Sequence, residues 1–351
     1  MSGIRMSVYR AGLEALYFSG AHRALRPVVG GAGAILMLHH VRPADLREFA
    51  PNALLEVTPD FLERVIERVR ARGFDIIALD AVPERLAAGG AARPFVAITF
   101  DDGYRDNLVH AYPVLKRHGV PFTIYLPTAY MEGRGELWWL LLEEAIRRRD
   151  SVTLSMRGRD IRFDCTGAAA KTAAYQQIYW WLRALTEAEL RAVVRALAAE
   201  AGLAPHWGCA ELCMTWNEVA ELGRDPLVTF GAHSVHHYML AKWPAETARA
   251  EMVHSKAAIE ARLGRPVDHF AYPVGDPSSA GPREFALARE AGFATAVTTR
   301  PGLLFAEHGA HLTALPRVSL NGHFQSLRYL DVLLSGAAFA LFNGFRKVNA
   351  A

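Results

Sequence analysis

The sequence is poor in cysteine and nearly balanced in charge, and both features exclude classes of protein. Three cysteines, Cys165, Cys209 and Cys213, occur among 351 residues, too few for the disulfide framework of a small secreted domain. They fit a reducing compartment in which the thiols stay free. The net charge of +3 is too small to indicate a nucleic-acid partner. With 51% hydrophobic and 21% charged residues, the chain is predicted to fold around an ample core.

Neither end of the sequence is predicted to be a secretory signal or a membrane span. Residues 1–32 hold no uninterrupted apolar core before a small-residue cleavage site, so no secretory signal is predicted. Tyr9 and Leu13 belong instead to one face of an amphipathic helix with basic residues nearby. Residues 323–351 are predicted as an apolar helix, but Asp331 interrupts them and they fall short of a membrane span. Both ends either pack on the domain or lie in an anionic membrane interface.

Strand-like and helix-like segments alternate along most of the chain. The clearest strand patterns are short apolar runs at 34–38, 95–100, 122–126, 227–232, 269–273 and 295–299. Such alternation predicts an α/β protein with a mostly parallel sheet and helical crossovers, either open or closed into a barrel. In both versions, reactive side chains belong at the carboxyl ends of the strands.

Residues 131–214 interrupt the alternation. They contain a tryptophan-rich segment, two short polar strand candidates and a helix-rich stretch. We therefore predict a helix-rich insertion between two strands of the main sheet. Its tryptophans, which either stack on sugar rings or belong to a core, are Trp138, Trp139, Trp180 and Trp181.

Two adjacent carboxylates, Asp101 and Asp102, directly follow the strand pattern at 95–100. Gly103 permits a turn there, so the two side chains are expected to aim in different directions. One interpretation is that an aspartate caps the helix predicted from about residue 106. The other gives the carboxylates separate tasks, one binding a cation and the other moving a proton.

Two histidines, His233 and His237, follow the strand pattern at 227–232. Because they are four residues apart, one helical turn would place both imidazoles on one face. With a carboxylate they form a set that suits zinc with one position open for water. The alternative is that they are ordinary polar residues. His236, on the adjacent face, is expected behind the ligands or in solvent.

The segments TFDDG and HSVHH, in this order, resemble the first two motifs of the polysaccharide deacetylases of carbohydrate esterase family 4. The resemblance covers residues 33–130 and 215–322. It implies a distorted (β/α) barrel of about seven parallel strands.

The resemblance also implies roles for the motif residues. In this family the first aspartate is the catalytic base, and the second binds the metal together with the two histidines. Carried over, Asp101 is the base, and the metal ligands are Asp102, His233 and His237. The implied cofactor is Zn²⁺ or another divalent transition metal. The two carboxylates are then adjacent because one holds the metal while the other takes a proton from water.

The general acid is assigned to an early histidine. The family commonly has one at a strand end late in the chain, but His308, His311 and His323 lie in loop-like sequence. His39 follows the first strand pattern and precedes the first motif. This order resembles the circularly permuted branch of the family, which includes exopolysaccharide N-deacetylases. It implies that His39 is the acid, with the adjacent His40 as the alternative.

The third motif departs from the family pattern. FAYPVG (270–275) stands where many relatives have an arginine followed by prolines, and Ala271 takes the arginine's position. Arg317, at another strand end, is the candidate for this missing cation at the base and substrate. Backbone N–H groups are expected to hold an oxyanion near Tyr272, Pro273 and Val274.

The resemblance implies that the protein is a metal-dependent hydrolase. It would remove N-acetyl groups from amino sugars of a cell-envelope or exopolysaccharide glycan, or of its lipid-linked precursor. The alternatives are an O-acetyl esterase, a non-catalytic sugar-binding homologue and a metallophosphoesterase, which would need more Asp and Asn ligands. The predicted partner is an acetylated glycan or lipid-linked sugar and no nucleic acid. The predicted location is the cytoplasm, with peripheral contact at the inner membrane.

Overall fold

The structure, a computed structural model, describes residues 3–88, 93–156 and 158–350. Within these ranges the strands are β1 Gly33–Leu38, β2 His40–Val41, β3 Glu56–Val57, β4 Asp75–Ile76, β5 Phe95–Phe100, β6 Phe122–Leu126, β7 Ser151–Met156, β8 Arg159–Asp164, β9 Val228–Ala232, β10 His269–Ala271, β11 Thr295–Pro301 and β12 Leu315–Ser319. The α-helices are α1 Gly3–Phe18, α2 Ala21–Val29, α3 Pro59–Ala71, α4 Val82–Ala87, α5 Tyr112–Arg117, α6 Trp138–Arg147, α7 Ala168–Ala184, α8 Glu187–Glu200, α9 Cys209–Leu212, α10 Trp216–Leu222, α11 Ala245–Leu263, α12 Pro282–Glu290, α13 Leu327–Leu334 and α14 Ala337–Phe342.

Seven of the strands form a closed parallel barrel. Their order around the barrel is β1, β12, β11, β10, β9, β6 and β5, and β5 pairs with β1 to complete the ring. The short β4 pairs with the first residues of β5. It lies on the same edge of β5 as β6, which pairs with the later residues of that strand. The prediction of a distorted (β/α) barrel of about seven parallel strands is confirmed.

The barrel strands are buried on both faces, which explains their nearly continuous apolar sequences. Every residue of β1 and of β5 is buried. Ile35, Ala97 and Tyr125 belong to a small core inside the barrel, together with Leu79 and Val82 from the segment before β5. A larger apolar cluster fills the space between the strands and the helices. Since the inside of the barrel is packed, ligands can reach only its ends.

The region 131–214 forms helices and one hairpin between β6 and β9, which are neighbours in the barrel. In the hairpin, β7 pairs antiparallel with β8, as the two polar strand candidates predict. α6 packs against α7 and α8. Because the region leaves the barrel at the carboxyl end of β6, it stands beside the expected site.

The two ends of the chain meet in one layer of helices. α1 packs against α13, and α2 packs against α14. The prediction of a single apolar helix for 323–351 is wrong. The helix is interrupted between α13 and α14 at Gly336, which has a φ of 82°. A Cβ at this residue would lie 2.2 Å from the carbonyl oxygen of Val29, so only glycine allows the close approach. Among the helices that the structure describes, none has the length and apolar content needed to cross a bilayer.

Candidate active site

Asp101 and Asp102 lie at the carboxyl end of β5, where the chain turns sharply. Asp102 has a φ of 71° and Gly103 a φ of 62°, so two consecutive residues adopt the left-handed conformation. That conformation is uncommon for a residue with a side chain, and a Cβ at Gly103 would lie 2.8 Å from Cε of Met131. The turn sends the carboxylates to different partners: Asp101 binds Arg317, and Asp102 faces two histidines.

Arg317 on β12 holds Asp101 through two parallel hydrogen bonds. Its Nη1 donates to Oδ1 and its Nη2 donates to Oδ2, both at 2.7 Å, while Nε donates to the carbonyl oxygen of Thr298 at 2.8 Å. Burial would raise the pKa of Asp101, but the guanidinium outweighs this effect and holds the pKa below its usual value. Asp101 is therefore an oriented carboxylate at neutral pH. The guanidinium is fully buried and donates to Asp101 and Thr298; a role of Arg317 at the substrate stays a prediction.

Asp102, His233 and His237 each bring one ligand atom within 4.8 Å of the others, and all three are buried. The Nε2 atoms of His233 and His237 lie 3.5 Å and 3.2 Å from Oδ1 of Asp102. This buried oxygen accepts no hydrogen bond from the described part of the chain, a costly arrangement unless a cation binds it. Nδ1 of His233 donates to the carbonyl oxygen of Ala271 at 2.7 Å, which leaves Nε2 as its coordinating nitrogen.

The protonation states of this ligand set also suit a metal ion. Burial lowers the pKa of His237, although the Asp102 carboxylate opposes this shift. Burial would raise the pKa of Asp102, but His237 and His233 lower it well below the usual value. Both ligands are therefore deprotonated at neutral pH, as metal binding requires. Two histidines and one carboxylate leave a fourth position open in a tetrahedral zinc site, so the residues fit the cofactor that the sequence implies.

His233 and His237 lie on a tight loop after β9, so the helical turn predicted from their spacing is wrong. Ser234 and His237 have φ values of 60° and 57°. These left-handed residues bend the loop so that the two imidazole rings come within 4.9 Å of each other. Such residues persist only where the surroundings determine the backbone.

Two charged residues hold this loop from opposite sides. Glu251 on α11 accepts hydrogen bonds from the backbone N–H groups of Val235 and His236, both at 2.9 Å. It also accepts one from Nδ1 of His236 at 2.7 Å. Arg191 on α8 donates to the carbonyl oxygens of His236 and His237 at 3.1 Å and 3.4 Å. The left-handed conformation of the loop thus has fixed partners on both sides.

Arg191 connects the insertion with the loop at 233–237, here called the metal-ligand loop because it carries the candidate ligands His233 and His237. It is buried, and it pairs with Glu187 at 2.9 Å and with Glu136 at 3.1 Å. Glu187 also accepts a hydrogen bond from the backbone N–H of Met239 at 3.3 Å. The sequence does not reveal the part that Arg191 and Glu251 play, because no local spacing links α8 or α11 to a loop after β9.

Of the two adjacent histidines, His39 faces the site. Its Nε2 lies 3.8 Å from Oδ2 of Asp101, and its side chain is 19% exposed. Burial lowers the pKa of His39, against the opposing effect of the nearby carboxylates. His40 has other partners: its Nδ1 binds Asp106 at 2.6 Å, and its ring stacks on Tyr104 at 3.6 Å between centroids. The predicted acid, and not its alternative, therefore lies beside the predicted base.

The segment after β10, residues 272–274, offers fewer free backbone N–H donors for an oxyanion than the sequence predicts. The N–H of Tyr272 already donates to the carbonyl oxygen of Val297 at 3.1 Å, and Pro273 has no N–H. The expectation is therefore wrong for these two residues. Val274 has a φ of 62°, an outlier for a β-branched residue, and its N–H makes no backbone hydrogen bond within the described ranges. One N–H donor remains from this segment.

Aromatic side chains enclose the metal-ligand set. The rings of Trp139 and Tyr130 lie 4.9 Å and 6.0 Å from the ring of His237. Of the tryptophans considered for sugar stacking, Trp138 and Trp139 are buried, whereas Trp180 is 53% exposed. Trp139 thus packs beside the candidate ligand His237, which its position in the sequence does not reveal.

A family model described as "Polysaccharide deacetylase" matches residues 88–155 and 164–296, more than half of the chain. The matched segments contain the two adjacent aspartates and both histidines of the ligand set. They contain neither His39 nor Arg317, which reach the same site from β1 and β12 only through the closure of the barrel.

Similar proteins were found among both structures and sequences. The Streptococcus pyogenes deacetylase PplD in complex with acetate has a TM-score of 0.56 at 19% identity, covering 86% of this chain and 97% of that one. IcaB from Ammonifex degensii has a TM-score of 0.53 at 17% identity, covering 88% and 97%. YxkH of Bacillus subtilis (strain 168), named as a polysaccharide deacetylase, is 61% identical over 31 residues, which are 9% of this chain and 11% of that protein. The two structures share the fold, and the sequence match spans about a tenth of its relative.

Proposed function

Because the chain belongs to the polysaccharide deacetylase family, we propose that it is a metal-dependent hydrolase that removes N-acetyl groups from amino sugars. The proposed substrate is a cell-envelope or exopolysaccharide glycan, or the lipid-linked precursor of one. PplD, which is similar in fold, was solved in complex with acetate, the product that such a hydrolysis releases. The cytoplasmic location expected from the sequence stays a prediction.

The observation that carries the proposal is one buried site that brings together the proposed base, the candidate ligand set and the proposed acid. Asp101 and Asp102 are each 2% exposed, and His233 is 1% exposed. The more open His39 side chain marks the side from which a substrate can approach. Charge interactions in such a water-poor pocket are stronger than they would be in solvent.

Amide hydrolysis needs a polarised carbonyl, an activated water molecule and a proton for the amine that leaves. A divalent ion held by Asp102, His233 and His237 would polarise the acetyl carbonyl and lower the pKa of a water molecule to about 7. Asp101, kept ionised by Arg317, accepts a proton from the attacking water. The water oxygen bonds to the acetyl carbon, and the bond from that carbon to nitrogen breaks as the nitrogen receives a proton.

The proton then reaches the amine through His39. Oδ2 of Asp101 lies 3.8 Å from Nε2 of His39, so a small shift of either side chain closes the gap. Because burial lowers the pKa of His39, its imidazole rests neutral at pH 7 and receives the proton that Asp101 took from water. His39 donates this proton to the departing nitrogen, which restores the starting state. The N–H of Val274 is the proposed donor to the carbonyl oxygen, and one such donor is worth about 3 kcal/mol of barrier.

Acetate release from N-acetylglucosamine oligomers by the purified protein tests the proposal. We expect release with Zn²⁺, loss of activity after chelation, and recovery when Zn²⁺ is restored. Asp101→Asn keeps the shape of the side chain but cannot accept a proton, so it should bind the metal and lose about 10² to 10⁴ in kcat. Release from O-acetylated glycans alone would replace the amidase with an esterase. Absence of release from both substrate classes would overturn the proposal.

A further inference from the structure

We propose that the helices at the two chain ends dock this protein on an anionic lipid bilayer. The docking surface, here called the terminal-helix face, consists of the exposed side chains of α1, α2 and α14 and of the residues just after α14. Its most exposed apolar members are Val8, Phe18, Val28, Leu341, Phe342 and Phe345. This surface lies outside the catalytic machinery, and the proposal does not depend on the reaction.

Exposed apolar side chains are concentrated on this face. Within the described ranges, nine large hydrophobic side chains are more than half exposed, and six of them belong to the terminal-helix face. The ring of Tyr9 lies 6.4 Å from the ring of Phe342, which joins the N-terminal and C-terminal parts of the face. Single exposed apolar residues are ordinary on a protein surface, but a grouped set marks a place of interaction.

The charges around the terminal-helix face are mostly positive. Exposed basic side chains stand on the same helices and on the residues after them: Arg10, Arg23, Arg26 and Arg346. Lys347 is also exposed, but it pairs with Glu307 at 3.1 Å and does not add to this charge. This combination of an apolar surface and surrounding cations is the one that binds anionic membrane interfaces.

The two acidic residues of the terminal helices do not offset these cations. Glu14 on α1 pairs with Arg328 and accepts a hydrogen bond from the hydroxyl of Tyr329. Asp331 on α13 is buried against Arg72, at 2.6 Å. Both carboxylates are therefore paired with arginines outside the set above, Glu14 with Arg328 and Asp331 with Arg72, and they do not neutralise the exposed arginines of the face.

An anionic bilayer fits this face better than a second copy of the chain does. A two-fold contact would bring each patch against the same patch of the other copy, so the exposed arginines of both copies would be gathered in one interface. Like charges across an interface cost several kcal/mol. A bilayer instead offers acyl chains to Phe18 and Phe342 and phosphate groups to the arginines, and it needs no matching shape.

Vesicle binding by the full chain tests the charge part of the proposal. We expect sedimentation with vesicles of phosphatidylcholine and phosphatidylglycerol, weak binding to phosphatidylcholine alone, and weaker binding as salt is raised. The double variant Arg23→Gln/Arg346→Gln should lower the partition constant roughly tenfold to thirtyfold. Equal binding to both kinds of vesicle, or no binding of the wild type, would overturn the proposal.

A matched pair of variants tests the apolar part. Val28→Ser/Phe342→Ser removes two exposed side chains from the terminal-helix face, and Val109→Ser/Ile161→Ser removes two exposed side chains elsewhere. Both should keep the melting temperature of the wild type, and only the first should lose vesicle binding. Equal losses would contradict the assignment. Size-exclusion chromatography with light scattering tests whether a second copy of the chain binds this face instead. A dimer that only the first variant disrupts would make the face an interface between copies and would overturn the proposal. Acetate release is not measured in either experiment, so failure here and failure of the proposed function are distinguishable.

Discussion

Arg317 and Asp101 form a buried, bidentate ion pair although 216 residues separate them in the sequence. β12 and β5 are the two neighbours of β1 in the closed barrel, so side chains from these strands meet above β1. The position where the family pattern has an arginine is Ala271, on β10. The cation that binds Asp101, the proposed base, therefore comes from a different strand.

Replacing Arg317 with Met should raise the pKa of Asp101, because the largest of the effects that oppose burial would then be lost. The base would be protonated up to a higher pH, so the acid limb of the kcat/KM profile should move to higher pH. The uncompensated carboxylate should also cost about 3 to 5 kcal/mol of stability in urea unfolding at neutral pH. Arg317→Lys keeps the charge without the paired bonds and should shift the profile less. An unmoved acid limb in the Met variant would mean that another group keeps Asp101 ionised.

Replacing Asp102, His233 or His237 with Ala should abolish stoichiometric zinc binding, because three protein ligands leave no spare. Elemental analysis of the dialysed proteins measures this directly. His236→Ala is the matched control, since its half-exposed imidazole binds Glu251 at 2.7 Å and not the metal position. Full zinc content in all three ligand variants would rule out the set.

His39→Ala and His40→Ala should differ in kind. The first should lose acetate release while it keeps its zinc, because His39 lies beside Asp101 but outside the ligand set. The second should mainly lower the melting temperature, because His40 is buried and bonded to Asp106. The measurements are acetate release, zinc content and thermal melting. Loss of activity without loss of stability in His40→Ala would move the acid to that residue.

Loss of the contact between the insertion and the loop that carries His233 and His237 should lower the affinity for zinc. Arg191→Met should weaken zinc binding about tenfold to a hundredfold, the usual effect of losing a residue that orients metal ligands. Competition with a chelator measures this without any turnover. Arg195→Met is the control, because Arg195 binds the same Glu136 but is half exposed.

A second variant separates affinity from stability at this position. Arg191→Met leaves Glu187 buried without its partner, which should lower the melting temperature. Glu187→Gln/Arg191→Met removes both charges and should recover stability but not zinc affinity. If affinity and stability recover together, the arginine acts on the fold and not on the loop.

His308 should make the fold sensitive to mild acid. It is fully buried, and burial lowers its pKa to about 4, whereas a histidine in the unfolded chain titrates near 6.5. Between these values the unfolded chain binds a proton that the folded chain does not, so stability falls as pH drops through this window by about 1.4 kcal/mol per unit. His308→Gln should reduce the difference between urea unfolding free energies at pH 7 and pH 5. An unchanged difference would locate the acid sensitivity elsewhere.

Much of the barrel could be predicted from short segments. The strand patterns at 95–100 and 122–126 coincide with β5 and β6, because a strand buried on both faces needs a continuous apolar run that is visible locally. The helical turn predicted for His233 and His237 failed for the opposite reason. A spacing of four suggests a helix, but contacts with α8 and α11 hold those residues in a left-handed loop.

By itself, the sequence determined which polar residues stand at the strand ends, because the adjacent aspartates and the paired histidines each stand together in short motifs there; their roles in the chemistry are predictions. Only the tertiary structure decided how those residues are held. It places His39, and not His40, beside Asp101, and it brings Arg317 to Asp101. It also places Arg191 of the insertion against the loop that carries His233 and His237. Those contacts join residues that are 45 to 216 positions apart. They exist only because the ring of strands closes and brings its carboxyl ends to one place.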